Sequence, residues 1–206
     1  MFLDYIVQFS ESISKQANAE EFFNTFLSTC VHNKLLNNIL LHDYQTTVVY
    51  TFTCTNCQNE SVKEESHLII YLNLNSLNEI DMNQLILLNK KGNVKKICEN
   101  CKKNTKHEAE IIHLYSKYIL YVIKRYDMLG NKIEVPLNIQ NDIEVNNEIY
   151  TIIGIIEHYG SSILNGHYVS YIHKNEWFFC NDHSISQCSF PAVSSDCYIL
   201  LYKQAL

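Results

Sequence analysis

Apolar positions along this chain change their period once. In "QANAEEFFNTFLSTCVHNKLLNNILL", Gln16 to Leu41, Phe22, Phe23, Phe26, Leu27 and Cys30 recur at helical spacing behind acidic residues, which predicts one or two helices. After it, "TTVVYTFTC" (Thr46 to Cys54) and "SHLIIYLNLN" (Ser66 to Asn75) are rich in β-branched and aromatic residues with partial alternation, the mark of strands. "LNEIDMNQLILLN", Leu77 to Asn89, reads as a short helix. From Cys98 onward the signals are almost all strand: "HEAEIIHLY", "KYILYVIKRYD", "NKIEVPLNI", "EIYTIIGIIEHYG", "GHYVSYIH", "EWFFCN" and "CYILLYK", with a turn at Gly130-Asn131. A helical N-terminal part followed by a β-rich body gives an α+β class.

Composition narrows the picture. With 206 residues, 47% hydrophobic and 18% charged, the chain suits one folded domain with a core. The net charge of −6 argues against a dedicated nucleic-acid binder and fits a basic partner or segment. "MFLDYIVQFSESISK" lacks a basic leader region and Asp4 interrupts its apolar run, so it does not read as a signal peptide. No apolar run is long enough for a transmembrane helix. An intracellular protein, cytoplasmic or nuclear, is the expectation, with its eight cysteines as thiols or metal ligands rather than disulfides.

Four of those cysteines form two CxxC knuckles, "CTNC" (Cys54, Cys57) and "CENC" (Cys98, Cys101), forty residues apart. A CxxC turn aims two thiolates at one ion, and two such turns complete the tetrahedron that Zn2+ takes in structural sites. The redox use of CxxC needs the motif to open a helix in a βαβ unit, and neither knuckle sits there. The expectation is a structural zinc at Cys54, Cys57, Cys98 and Cys101, with no open position for catalysis. "KKGNVKKICENCKKNTK", Lys90 to Lys106, holds seven lysines, which solvated hairpin positions explain more cheaply than a nucleic-acid contact.

"GHYVSYIHKNEWFFCND", Gly166 to Asp182, carries the remaining chemistry. Two strands around a turn at His173-Lys174-Asn175 set Tyr171 opposite Trp177, Val169 opposite Phe179 and His167 opposite Asn181. A two-residue loop would instead put Asp182 opposite His167, and the register stays open at this point. Either way a histidine with an adjacent amide or carboxylate forms the base-and-orienter part of a Cys-His-Asn or Cys-His-Asp arrangement, in which the imidazole takes a thiol proton. Gly166 allows close backbone approach beside it.

Together these motifs resemble the ubiquitin-specific proteases, the papain-like cysteine deubiquitinases, over Gln16 to Tyr202. "EHYGSSILNGHYVSYIHKNEWFFCNDHSIS" is similar to the family's histidine box, in which H-x-G is followed by G-H-Y, W and an Asp or Asn pair. "YILYVIKRYD" resembles the strand ending in L-K-R-F, "KIEVPLNI" the next strand with its proline, and "CYILLYK" the closing strand. "QANAEEFFNTFL" resembles the box Q-Q-D-A-x-E-F, departing at Ala17 and Asn18. The resemblance implies a helical thumb (residues 1–45), zinc-tipped β fingers (46–110) and a β palm (111–206) that grip ubiquitin. It implies thiolate attack at ubiquitin's C-terminal glycine, with His167 as general base, Asn181 as its orienter and Asp182 as a neighbouring polar support.

The family's cysteine box, N-x-G-N-T-C-Y/F, is not found ahead of Gln16, so the nucleophile is expected to be absent from this chain. Cys30 lies on an apolar stripe, alternation points Cys180 away from His167, and Cys188 and Cys197 have no motif around them. The chain then belongs to a longer enzyme, is complemented by another chain, or is an inactive relative that binds ubiquitin without cleaving.

Overall fold

A computed structural model describes residues 19, 23–25, 34–74, 78–162 and 165–205. Phe22, Phe26, Leu27 and Cys30 lie outside them, so the helix predicted over Gln16 to Leu41 is visible only as helical residues at 19 and 23–25 and as α1 (Lys34–Asp43). The strands and second helix follow in the order β1 (Thr46–Cys54), β2 (Glu60–His67), β3 (Ile70–Asn73), β4 (Ile80–Asp81), α2 (Met82–Leu88), β5 (Lys91–Ile97), β6 (Asn104–Leu114) and β7 (Tyr118–Lys124). Then come β8 (Leu137–Asn138), β9 (Asp142–Val145), β10 (Glu148–Ser162), β11 (Asn165–His173), β12 (Trp177–Asn181), β13 (Ser184–Cys188), β14 (Val193–Ser194) and β15 (Cys197–Gln204). Among the described residues no helix is long and apolar enough to cross a membrane.

An eight-stranded sheet in the order β13-β12-β11-β10-β15-β7-β3, with β9 beside β10, forms the body. Both of its faces are covered, which explains the near-continuous apolar run of β7. Ile119, Tyr121 and Ile123 enter the larger core with Leu72, Leu200 and Tyr202. Leu120 and Val122 point the other way into a second cluster with Ile69, Tyr198 and Ile199, against which Ala19 and Phe23 pack. Each such fully buried side chain is worth about 1.5–3 kcal/mol relative to exposure. Helix α2 roofs the larger core with Met82, Leu85 and Ile86, at the i, i+3, i+4 spacing of one helical face. It starts at a capping box: the Asp81 side chain accepts the Gln84 N–H at 2.8 Å, and the Gln84 side chain accepts the Asp81 N–H.

A second, four-stranded sheet runs β2-β1-β6-β5. Strand β1 pairs on both sides, so Thr46 to Thr53 face His67 to Glu60, and Thr47 to Cys54 face Leu114 to His107. The chain between its two hairpins leaves this sheet, since β3 lies parallel to β7 in the larger one. Buried apolar residues are scarce here: Val48, Cys54 and Cys98. Both edge strands are largely exposed.

Two expectations change. "NKIEVPLNI" is not one strand: Leu137–Asn138 pair as β8, while Asn131 and Lys132 make isolated bridges to Ser162 and Tyr126. The Ile133 and Val135 carbonyls accept instead from the Arg125 guanidinium, at 3.2 and 2.7 Å, and Pro136 has no N–H to give a ladder. "SHLIIYLNLN" breaks after His67, where the chain crosses from one sheet to the other.

Candidate active site and metal centre

The two knuckles are built alike. In the first, the Gln58 N–H donates to the Cys54 carbonyl at 2.9 Å and the Cys54 N–H to the Asn59 carbonyl at 3.0 Å. In the second, the Lys102 N–H donates to the Cys98 carbonyl and the Cys98 N–H to the Lys103 carbonyl, both at 2.9 Å. Gln58 and Lys102 stand at φ of 58° and 59°, the left-handed turn each knuckle needs. The hairpins β1–β2 and β5–β6 lie in one sheet and end on the same side, so the four sulfurs converge within 4.8 Å of one another. Cys57 Sγ and Cys98 Sγ are 3.6 Å apart, close to the about 3.8 Å that a tetrahedral ion with 2.3 Å bonds to sulfur would impose.

At Cys54 and Cys57 local donors favour the anionic form that a metal needs. The Thr105 hydroxyl, 3.2 Å from Cys54 Sγ, holds that thiol down at about 6 against the pull of burial. The Asn59 backbone N–H lowers Cys57 in the same way, helped by the Asn100 amide at 3.6 Å. Thr105 was not picked out from sequence; only the β1–β6 pairing brings it to Cys54.

The second cluster lies where β10, β11 and β12 run side by side. His167 is exposed, and its Nε2 stands 2.7 Å from Asn181 Oδ1. A carbonyl oxygen only accepts, so Nε2 carries the proton and the neutral imidazole keeps a free lone pair on Nδ1. The hairpin register differs from expectation. The loop is Lys174-Asn175-Glu176, so Tyr171 faces Phe179 and His173 faces Trp177. This pairing places Trp177, 8% exposed, between His173 and Phe190, with ring centroids 5.0 and 5.3 Å away. A slip of two residues keeps every side chain on its face. Asn181 is therefore a diagonal rather than direct neighbour of His167, and its side chain closes the gap. Asp182 takes no place on that face: at φ 49° it forms the turn into β13.

Gly166 fits the neck of this hairpin for a steric reason. A Cβ there would lie 2.0 Å from Nε2 of His158. That ring cannot retreat: it is 2% exposed, stacks 4.4 Å from Tyr168 and is bonded through Nδ1 to the Tyr126 hydroxyl. Burial, reinforced by Lys132, lowers the His158 pKa and keeps the ring neutral. A bulge between Tyr159 and Ser162 shifts the ladder just beyond Tyr159 and His167, and pairing resumes at Ser162 and Asn165.

Beneath the site, Arg125 is 1% exposed and has no carboxylate in its fork. It donates instead to carbonyls of Cys197 (2.5 Å), Val135 (2.7 Å), Ser194 (3.1 Å) and Ile133 (3.2 Å), tying β15 and the β14 turn to the chain after β7. Among the described residues the remaining thiols stand apart from His167. Cys180 faces Ser170 and Ile185 on the opposite side of the sheet. Cys188 pairs with Trp177 at the far end of β12, and burial pushes it up. Cys197 is wholly buried and pushed up to about 12.

A β-rich fold with a four-cysteine fingers tip and a His-Asn pair on a palm hairpin defines the class of papain-like ubiquitin hydrolases. The family model described as "Ubiquitin carboxyl-terminal hydrolase" matches residues 1–202, and the chain belongs to that family. Ubiquitin carboxyl-terminal hydrolase 25 of Arabidopsis thaliana is 24% identical over 94% of this chain and 34% of its own length. Ubiquitin carboxyl-terminal hydrolase 17 of Homo sapiens is 31% identical over 45% of this chain and 20% of its own. Among solved structures, a chain of the SAGA Ubp8/Sgf11/Sus1/Sgf73 DUB module bound to ubiquitin aldehyde superposes with a TM-score of 0.78 at 18% identity, covering 93% of this chain and 50% of that one. The chain thus spans 34% and 20% of these curated relatives and about half of the solved chain.

Proposed function

We propose that this chain supplies the general base and the substrate-gripping scaffold of a cysteine-type deubiquitinase acting at the C-terminal glycine of ubiquitin. The observation that carries the reading is the 2.7 Å contact between His167 Nε2 and Asn181 Oδ1. With Nε2–H held by Asn181, Nδ1 is the base. It removes the proton of a cysteine thiol, the thiolate attacks the carbonyl carbon of the glycine, and the imidazolium returns the proton to the departing amine. Asp182 supports the turn that presents Asn181. The nucleophile is not one of the thiols described above, none of which shares the face and end of the sheet with His167.

The four-cysteine cluster holds a structural Zn2+. Its donors are all thiol sulfurs within 4.8 Å of one another and all four positions are filled from the protein, so the ion serves folding and not the reaction.

The absence of a thiol beside His167 among the described residues favours a second reading, a ubiquitin-binding relative that does not cleave. Both readings require ubiquitin to bind. Titrating 15N-labelled ubiquitin with the metal-loaded chain is expected to shift resonances of the ubiquitin tail in a saturable way, whereas a flat titration would overturn both.

A further inference from the structure

Beside His167 lies a group that the base-and-orienter pair does not use. Glu157 of β10 is 4% exposed, an expensive place for a carboxylate unless its oxygens are bonded. Its Oε2 accepts the Tyr159 hydroxyl at 2.5 Å, and the Tyr171 hydroxyl joins the same network. On this face of the sheet Tyr159 is directly opposite His167, and Glu157 is opposite Val169. His167 therefore has two diagonal neighbours able to accept its N–H: the Asn181 amide from β12 and the Glu157 carboxylate from β10. Diagonal positions are roughly 7–8 Å apart at the backbone, within reach of side chains of this length. As a hydrogen-bond acceptor the charged oxygen is the stronger of the two, yet the structure bonds His167 to Asn181.

We propose that Tyr159 is a positioning residue for the base: its hydroxyl occupies Glu157 and so leaves the His167 imidazole to Asn181. Tyr159 is 42% exposed, so its ring is not a core requirement. Burial, then the bond to Glu157, push its hydroxyl well above the ordinary tyrosine range, so it remains a donor. Without that hydroxyl only the Tyr171 hydroxyl remains on the carboxylate, and the oxygen that Tyr159 held turns towards the imidazole, drawing the N–H off Asn181 and turning Nδ1 away from the incoming thiol. The inference rests on His167 and Asn181 being the base and its orienter, and it adds the reason why the neutral amide holds the ring.

The test uses the imidazole nitrogens of His167 in long-range 1H–15N spectra of the full, metal-loaded chain, which needs no nucleophile. The native protein is expected to show one tautomer, protonated at Nε2. Tyr159→Phe should lose that single pattern, and adding Glu157→Gln to it should restore the pattern. Restoration also shows that the variants fold. An unchanged pattern in Tyr159→Phe, or no return in the double variant, would overturn the proposal. Asn181→Ala separates the two layers: if it leaves the His167 pattern intact, the orienter reading itself fails, whatever Tyr159→Phe does.

Discussion

The two sheets of this protein solve the same problem by opposite means. The eight-stranded sheet is sandwiched between two apolar clusters, and its stability comes from area removed from water. The four-stranded sheet has almost no core of its own and ends in four converging thiols. The zinc proposed at these thiols would supply what burial cannot in a small subdomain. The difference also decides where reactive chemistry sits. The four-stranded sheet gathers its cysteines at its tip, while the eight-stranded sheet carries His167 and Asn181 on an exposed hairpin end.

The largest expected effect separates the two regions outright. Stripping the metal with a chelator, or Cys98→Ser, should remove on the order of 10 kcal/mol of metal-linked folding from the fingers. Hydrogen exchange should then show β1, β2, β5 and β6 losing protection while β7, β10 and β15 keep theirs. Equal loss in both sheets would break the comparison.

Next comes Arg125→Ala, which strands four carbonyls in the palm. A loss of more than about 3 kcal/mol in urea unfolding is expected. A cost under 1 kcal/mol would mean that water can replace the guanidinium.

At the joint between the sheets, His113 is 6% exposed with Nδ1 unpartnered, and burial, then Lys90, lower its pKa to about 4. The folded ring stays neutral while the unfolded one protonates near 6.5. Stability is therefore full above about pH 6.5 and falls as the pH drops towards 4, by about 3 kcal/mol in all. His113→Phe should flatten that stretch of the stability–pH curve, and an unaltered curve would count against the assignment.

Smallest in stability is Asn181→Ala, expected within about 0.5 kcal/mol because its bond is exposed. Its effect should fall on function alone. Any assembly that brings a cysteine beside His167 should lose activity with this substitution while thermal unfolding stays put.

Much of this was legible in the chain itself, for reasons that are local. Two CxxC turns state their geometry in four residues each, and the apolar run of β7 announces a strand buried on both faces. The hairpin of His167 was also legible, but its register was not. Loop length is ambiguous around Lys174 and Asn175, and burial of Trp177 against Phe190 settles it from outside the hairpin. The faces survived because the slip was an even number of residues. Long-range partners stayed hidden: Arg125 bonds carbonyls up to seventy-two residues away, and no pattern in "NKIEVPLNI" says that its carbonyls are already spoken for. The Tyr159–Glu157 pair is two residues apart on one strand, and its meaning emerges only when β11 is laid beside it.

The proposal under test is that His167 is a base with no thiol beside it among the described residues. Intact mass after mixing the metal-loaded chain with ubiquitin carrying a C-terminal thiol-reactive electrophile tests it directly. No ubiquitin-sized adduct is expected from this chain by itself. An adduct that forms readily and disappears in His167→Ala would contradict it, and would place the nucleophile among the cysteines set aside above.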